Sequence, residues 1–550
     1  MRQTISKMLV RKRSVLLVFL LSTSCASMDQ DLLDARLPET PETWSAPEAS
    51  TGVPVGNWVA AFQDNRLEEL IGEATLRNNN LLASAANLDA ARQAHRRAFA
   101  ALLPTLDANP SVSRSAFVQD PAFAAQIGGS GIDVSDVRVQ DLEDQFGVDL
   151  DGDGAPDVLD QNGDGIFEPI PNRRSYVNNF LLNAQIRWEI DLWGRLRDTN
   201  SAAQRDAAAS LADYKAARLS LAANVAQTWF TLIEARQQRE LAERDVEARE
   251  RNLKVTSRRY ERGVASSLDV RLAQSQVGSS RASLAQRQRT EKESGRRLEV
   301  LLGRYPGAEL EAAAALPDLP ALPDAGAPSE ILTRRPDIIA AEMRMEAAGL
   351  RARAARKRIL PTLTLSSRLS TSGPDLEDVL DPERLAGNIA AGLFQPLFRG
   401  GEIQANSRQQ RAIAEQRLLT YAQTVLEAFE ETENALAAEN YLALQEDALK
   451  LAFDEAAAAE KLTERRYANG AASIFNLLDA QTRRISTESS YISAKRQRVS
   501  NRVVLYLAIG GNFITEQELR LARDKQVDSA LRGTRTGKAL PVAVRALTGE

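Results

Sequence analysis

Two stretches of this chain repeat one another at a fixed spacing. Arg259-Tyr260-Glu261-Arg262-Gly263, running on to Ser266 and Ala273-Gln274, returns 207 residues later as Arg466-Tyr467-Ala468-Asn469-Gly470, running on to Ser473 and Ala480-Gln481. The same spacing pairs Gly194 with Gly401, Tyr214 with Tyr421 and Gly303 with Gly510. Nearer the N-terminus, Leu102-Leu103-Pro104-Thr105-Leu106 matches Ile359-Leu360-Pro361-Thr362-Leu363 and Arg77 matches Arg334, but there the spacing is 257. The first copy therefore holds 50 extra residues between Leu106 and Gly194, visible as an Asp-, Gly- and Pro-rich stretch over about 118–171. A duplication of this size implies two copies of one structural unit, so every later motif has to be weighed in pairs.

Each copy reads as helix, strand, loop, strand, long helix, turn, long helix. The first helix is expected from about Leu67 to Leu103, on apolar positions such as Leu70, Ile71, Leu81 and Leu88, and it stops at Pro104. From Phe180 the period changes to two. Phe180, Leu182, Ala184, Ile186, Trp188, Ile190 and Leu192 alternate with Leu181, Asn183, Gln185, Arg187, Glu189 and Asp191. One face of such a strand suits an apolar phase and the other, mostly polar, suits water. Leu363, Leu365 and Leu369, set among Thr362, Thr364, Ser366 and Arg368, repeat the pattern more weakly. Two strands per copy give four, whereas closed membrane barrels need at least about eight, so several chains must share one barrel.

Between Arg195 and Arg262 there is no proline or glycine, and Leu211, Tyr214, Leu221, Val225 and Leu232 have heptad-like spacing. At about 1.5 Å per residue such a helix reaches roughly 100 Å. Gly263 then turns the chain back through Leu268, Val270, Leu272 and Val277 to Gly303, and the second copy does the same around Gly470. A helical scaffold without a channel would leave the alternating strands unexplained. The composition agrees with long helices, since alanine and leucine carry the 43% hydrophobic content while aromatics supply only 5%.

Acids and bases are interleaved, with a net charge of −5, so no basic face is available for phosphates and nucleic acid is not an expected partner. His95 is the only histidine, which excludes a His-based triad or a multi-histidine metal site. Beside Arg96 and Arg97 it reads as a solvated surface residue. With 5 methionines there is no methionine-lined surface for soft metals, and no catalytic constellation emerges. The chain is expected not to be an enzyme.

At the N-terminus Arg2, Lys7, Arg11, Lys12 and Arg13 precede the apolar run Val15 to Leu21 and then Ser22-Thr23-Ser24-Cys25, the layout of an export signal over 1–24. The apolar run is too short to span a bilayer, and no later run approaches 18 apolar residues. Cys25 is the only cysteine, so no internal disulfide can form. Its position resembles a bacterial lipoprotein box, although Ser22 stands where leucine is usual and Leu21 lies one place further back. Lipid attachment at Cys25 and ordinary signal cleavage after a small residue are the two readings.

Taken together, Trp58 and Phe62 ahead of Leu67-Glu68-Glu69-Leu70-Ile71, the segments WEIDLWGRLR at 188–197, RYERGVASSLDVRLAQ at 259–274 and RRPDIIAAE at 334–342, with PLFRGG at 396–401, RRYANGAASIFNLLDAQ at 465–481 and LYLAIGG at 505–511, resemble the outer-membrane efflux protein family of the TolC and OprM type, its lipoprotein branch most closely. The resemblance implies a homotrimer whose twelve strands form one outer-membrane barrel and whose helices form a periplasmic duct. It implies a periplasmic adaptor protein and an inner-membrane transporter of the resistance-nodulation-division type as partners. A type I secretion outlet shares the fold and is the alternative. The implied layout is a signal at 1–24, a lipid-anchored extension at 25–64, repeats at 65–307 and 329–513 joined by a linker at 308–328, and a tail at 514–550.

The family's acidic constriction matches Asn476 and Asp479, with asparagine at a position where an acidic residue can stand, and Phe475 matches an apolar gate position. Asp479 could instead cap or pair on its helix surface, and for Asp269 in the first turn the structural role is the expected one. Arg259, Tyr260, Gly263, Arg466, Tyr467 and Gly470 define the two turns and are the expected adaptor contacts. Within the 50-residue excess, Asp149, Asp151, Asp153, Asp157 and Asp160 with Ala155 at the seventh place have the spacing of an EF-hand calcium loop, and Asp160, Asn162 and Asp164 begin a second copy. Calcium there and a merely solvated acidic loop are the alternatives, and no cofactor is expected for transport.

Overall fold

The computed structural model describes residues 38, 40–46, 56–119, 173–511 and 513. In chain order the elements are α1 (Trp58–Ala61), α2 (Asn65–Arg77), α3 (Asn79–Ala100), β1 (Thr105–Gln119), β2 (Arg173–Ile190), α4 (Arg195–Glu261), α5 (Ser267–Leu301), α6 (Pro328–Arg334), α7 (Pro336–Lys357), β3 (Thr362–Gly373), α8 (Leu376–Val379), a 3₁₀ turn (Pro382–Arg384), β4 (Ala386–Phe394), α9 (Glu402–Ala468) and α10 (Ile474–Ala508). The protein is mainly α with a small β part, and it is internally duplicated. The two long helices α4 and α9 have 67 residues each, and the two return helices α5 and α10 have 35 each.

Two units arise. The helical unit takes its described residues from Met1–Ala98, Arg197–Arg358 and Gly400–Glu550, and the strand unit from Phe99–Leu196 and Ile359–Arg399. In the strand unit the sheet order is β1-β2-β3-β4, antiparallel throughout. Its register runs from Thr105 opposite Arg187 to Gln119 opposite Arg173, then Phe180 opposite Gly373, and Thr362 opposite Phe394. β2 starts at Arg173, seven residues ahead of the alternation at Phe180, because its polar beginning still pairs with β1. Two indole N–H groups fasten the entries: Trp188 donates to the Leu102 carbonyl at 2.9 Å and Trp193 to that of Pro361 at 2.7 Å. All nine residues of β4 are exposed, Ile389 at 79% and Leu393 at 67%, so among the described residues this apolar strand has neither cover nor a partner on its outer edge.

In the helical unit the main core gathers Trp58, Phe62, Leu67, Ile71, Trp229, Phe230 and Leu298. Asp64 locks its corner by accepting the Arg66 and Leu67 amides at 2.9 and 3.0 Å, the N-cap of α2, and the Trp229 indole N–H at 2.9 Å. A second cluster includes Trp44, whose indole donates to the Gly326 carbonyl at 2.8 Å and whose ring meets Phe429 edge-on.

The expected single helix from Leu67 to Leu103 is two helices. Asn78 interrupts it with an extended backbone, accepts the Asn80 and Leu81 amides at 3.0 and 3.1 Å, and donates from Nδ2 to the Leu301 carbonyl at 2.9 Å. A buried asparagine that caps one helix and ties the end of another outweighs the continuity of the apolar pattern. The second copy breaks at the equivalent point, where Arg335 separates α6 from α7 and donates to the Ala508 carbonyl at 3.2 Å. Leu301 and Ala508 stand 207 residues apart, so the duplication preserves the tie while replacing its donor.

Candidate functional site at the helical turns

Both hairpin turns close by the same backbone device. In the first, Gly263 lies at φ 71° and the amides of Gly263 and Val264 donate to the carbonyls of Tyr260 and Arg259 at 2.9 and 2.8 Å. In the second, Gly470 lies at φ 78°, and Gly470 and Ala471 donate to Tyr467 and Arg466 at 3.0 and 2.8 Å. These are helix ends capped by a left-handed glycine, a geometry that side chains with a Cβ resist.

The following helix starts differ. Ser266 and Asp269 make a reciprocal capping box at the start of α5, with Asp269 Oδ2 accepting the Ser266 amide at 2.9 Å and Ser266 Oγ accepting the Asp269 amide at 3.2 Å. Asp269 therefore has the structural role expected of it. At the start of α10, Ser473 Oγ accepts the Asn476 amide at 3.3 Å, but only that half of the box is made.

On the first turns of α10, Ile474, Leu477, Leu478 and Gln481 are buried, and the first three join Tyr467 and Leu272 in a small apolar cluster. That i, i+3, i+4, i+7 set defines the inward face. Phe475, Asn476 and Asp479 lie on the opposite, exposed side, with Phe475 57% exposed. Phe475, Asp479 and Arg483 follow at intervals of four and so share one face. Asp479 Oδ2 is paired with Arg483 Nε at 2.8 Å, so the expected constriction residue is also a surface ion-pair member.

The duplicated turn residues have unequal environments. Tyr260 is 50% exposed, whereas its counterpart Tyr467 is 8% exposed. Tyr467 Oη is 3.1 Å from Thr256 Oγ1, the Arg259 guanidinium stacks over the Tyr467 ring at 4.9 Å, and Arg259 Nη1 donates to the Tyr467 carbonyl at 2.9 Å. Arg259 and Tyr467 thus bind the two hairpins to each other, while Tyr260, Gly263, Arg466 and Gly470 are exposed.

Above the turns a polar seam joins α4 to α10, which the sequence did not announce. Asn252 donates to Gln481 at 2.9 Å, Arg249 to Thr482 at 3.3 Å, Arg244 pairs with Glu488 at 2.6 Å and Ser489 donates to Gln238 at 2.8 Å. Arg484 pairs with both Glu460 and Glu488. Burial pushes the Glu460 carboxyl above the ordinary carboxylate range despite the opposing pull of Arg484. The only sequence hint of this seam was i, i+4 spacing, as between Arg484 and Glu488; contacts across hundreds of residues leave no local signal.

Among the described residues no group of three or more His, Cys, Asp or Glu could hold a metal, and no helix is long and apolar enough to cross a membrane. Cys25 and the calcium-loop set Asp149, Asp151, Asp153, Ala155, Asp157, Asp160, Asn162 and Asp164 lie outside the described residues.

The chain is 29% identical over 489 residues to the toluene efflux pump outer membrane protein TtgC of Pseudomonas putida, covering 87% of this chain and 90% of that protein. It is 30% identical over 350 residues to the outer membrane protein OprJ of Pseudomonas aeruginosa, covering 62% of this chain and 72% of that one. Among solved structures, the Campylobacter jejuni CmeC outer membrane channel superposes with a TM-score of 0.72 at 22% identity, over 89% of this chain and 96% of that one. The open state of the Neisseria gonorrhoeae MtrE outer membrane channel superposes at 0.66 with 26% identity, over 86% and 98%. The profile of the outer membrane efflux proteins matches residues 70–304 and 327–511, the two repeats, and the chain belongs to that family.

Proposed function

We propose that this protein is the passive exit duct of a tripartite efflux system, working as a homotrimer in the outer membrane. The observation that carries the reading is the four-stranded sheet, whose apolar β4 is exposed along its whole length and whose two edges are unpaired among the described residues. Exposed edges are closed in membrane barrels by further strands; the four strands of one copy fall short of the roughly eight that the smallest barrels need, and three copies would supply twelve. The mass of the detergent-solubilised protein tests this, with three chains expected; a stable monomer or dimer carrying a native barrel overturns it.

The relatives named for export of toluene, antibiotics and pyoverdine support small molecules as cargo rather than secreted proteins. The energy source would then reside in an inner-membrane transporter of the resistance-nodulation-division type, reached through a periplasmic adaptor. The exposed turn residues Tyr260, Gly263, Arg466 and Gly470 are the surface we assign to the adaptor. Phe475, Asn476 and Asp479 are assigned to the periplasmic constriction, three copies around one axis. Asp479→Ala with Phe475→Ala is expected to raise single-channel conductance, and an unchanged conductance in an intact trimer overturns the assignment.

Cys25 is proposed as the lipid attachment site, tested by mass spectrometry of the mature N-terminus. Transport needs no cofactor in this reading. Calcium at the aspartate-rich stretch is a separate proposal, tested by calcium titration of the full-length protein against its Asp151→Ala, Asp153→Ala variant.

A further inference from the structure

Between Ile474 and Ser490, α10 carries four charged side chains: Asp479, Arg483, Arg484 and Glu488. Arg484 and Glu488 are turned inward, to Glu460 on α9 and Arg244 on α4. The outward face that begins at Phe475 therefore holds one acid, Asp479, and one base, Arg483, followed by Ser486 and Ser490. The two charges touch, Nε to Oδ2 at 2.8 Å, in the i, i+4 order with the acid first that a helix favours. Both side chains are more than half exposed, so the pair adds little to stability.

Its consequence is electrostatic. Opposite charges in contact lie well within the screening length of about 8 Å at physiological salt, and their fields cancel at larger distances. Three uncompensated carboxylates around a narrow axis would instead concentrate cations there.

We propose that Arg483 is the counter-charge of the constriction: it turns what would be an acidic ring into an electroneutral one, so that this narrow point does not sort solutes by the sign of their charge. The inference rests on the reading that the Phe475–Asp479 face lines the passage.

Reversal potentials of the full-length trimer in planar bilayers under a potassium chloride gradient test both. Arg483→Gln is expected to shift the permeability ratio several-fold toward cations, Asp479→Asn toward anions, and the double variant back to the wild-type value. A shift for Asp479→Asn without one for Arg483→Gln overturns the counter-charge while leaving the lining intact. No shift for any variant, with trimer mass unchanged, overturns the lining and the counter-charge together.

Discussion

Gly263 and Gly303 have nearly the same backbone, φ 71° and 72°, and quite different surroundings. A Cβ at Gly263 would meet nothing within 4 Å, whereas at Gly303 it would come within 2.6 Å of the Arg77 carbonyl oxygen. Gly263→Ala is expected to cost only the left-handed conformation, about 1–2 kcal/mol. Gly303→Ala adds a backbone clash and should displace α2 from the end of α5, with a clearly larger fall in the thermal unfolding midpoint. Equal falls would mean that the close approach does not matter. The same contrast explains what the sequence reveals at this scale. The glycines were legible, because a turn needs them wherever it lies. The roles of Tyr260 and Tyr467 were not, because identical motifs meet different neighbours, and Thr256, which receives Tyr467, lies 211 residues away.

Helix lengths and turn positions were legible because periodicity and helix breakers are local. The break at Asn78 was less so: a buried side-chain amide that joins α3 to the end of α5 is a tertiary fact written as one residue in an asparagine run. Capping offers a test at the level of single elements. Asn476→Asp places at α10 the acid that completes the box at α5, and should stabilise that helix start by about 0.5–1 kcal/mol, visible as slower amide exchange over its first turn. Glu460 offers another. Its folded-state pKa lies above the ordinary 4.5, so the folded protein holds the proton more tightly than the unfolded chain. Stability linked to Glu460 therefore rises as pH falls through that window, and the ionised form at neutral pH is the costly one. Compared with Glu460→Gln, the wild type should gain in unfolding midpoint as the pH falls from 7 toward 4.5; a relative loss would mean that the Arg484 pairing outweighs burial.

For the helical unit as a whole, the large apolar clusters lie around Trp58, Trp229 and Leu505, while the turns keep only the small cluster of Tyr467, Ile474, Leu477 and Leu478. Between them, α4 and α10 meet through hydrogen bonds and ion pairs. Such contacts contribute about 0.5–1.5 kcal/mol each net, and about 1.5–3 kcal/mol where a charged group takes part, so separating the hairpin ends is expected to cost less than opening the main cores. The buried pair Arg502–Glu439, 5% and 4% exposed and joined at 2.7 Å, belongs to the other regime. Glu439→Ala leaves a buried guanidinium without its partner and should cost about 3–5 kcal/mol. Two variants therefore separate stability from passage. Glu439→Ala should lower the unfolding midpoint and, on the proposed trimeric-channel reading, leave the conductance unchanged. Arg259→Ala with Tyr467→Phe removes the stacking and the Thr256 contact that hold the hairpin ends together, and should raise conductance while moving the midpoint far less. If both variants change midpoint and conductance in the same proportion, the turns and the cores form one cooperative body, and the hairpin ends cannot open independently.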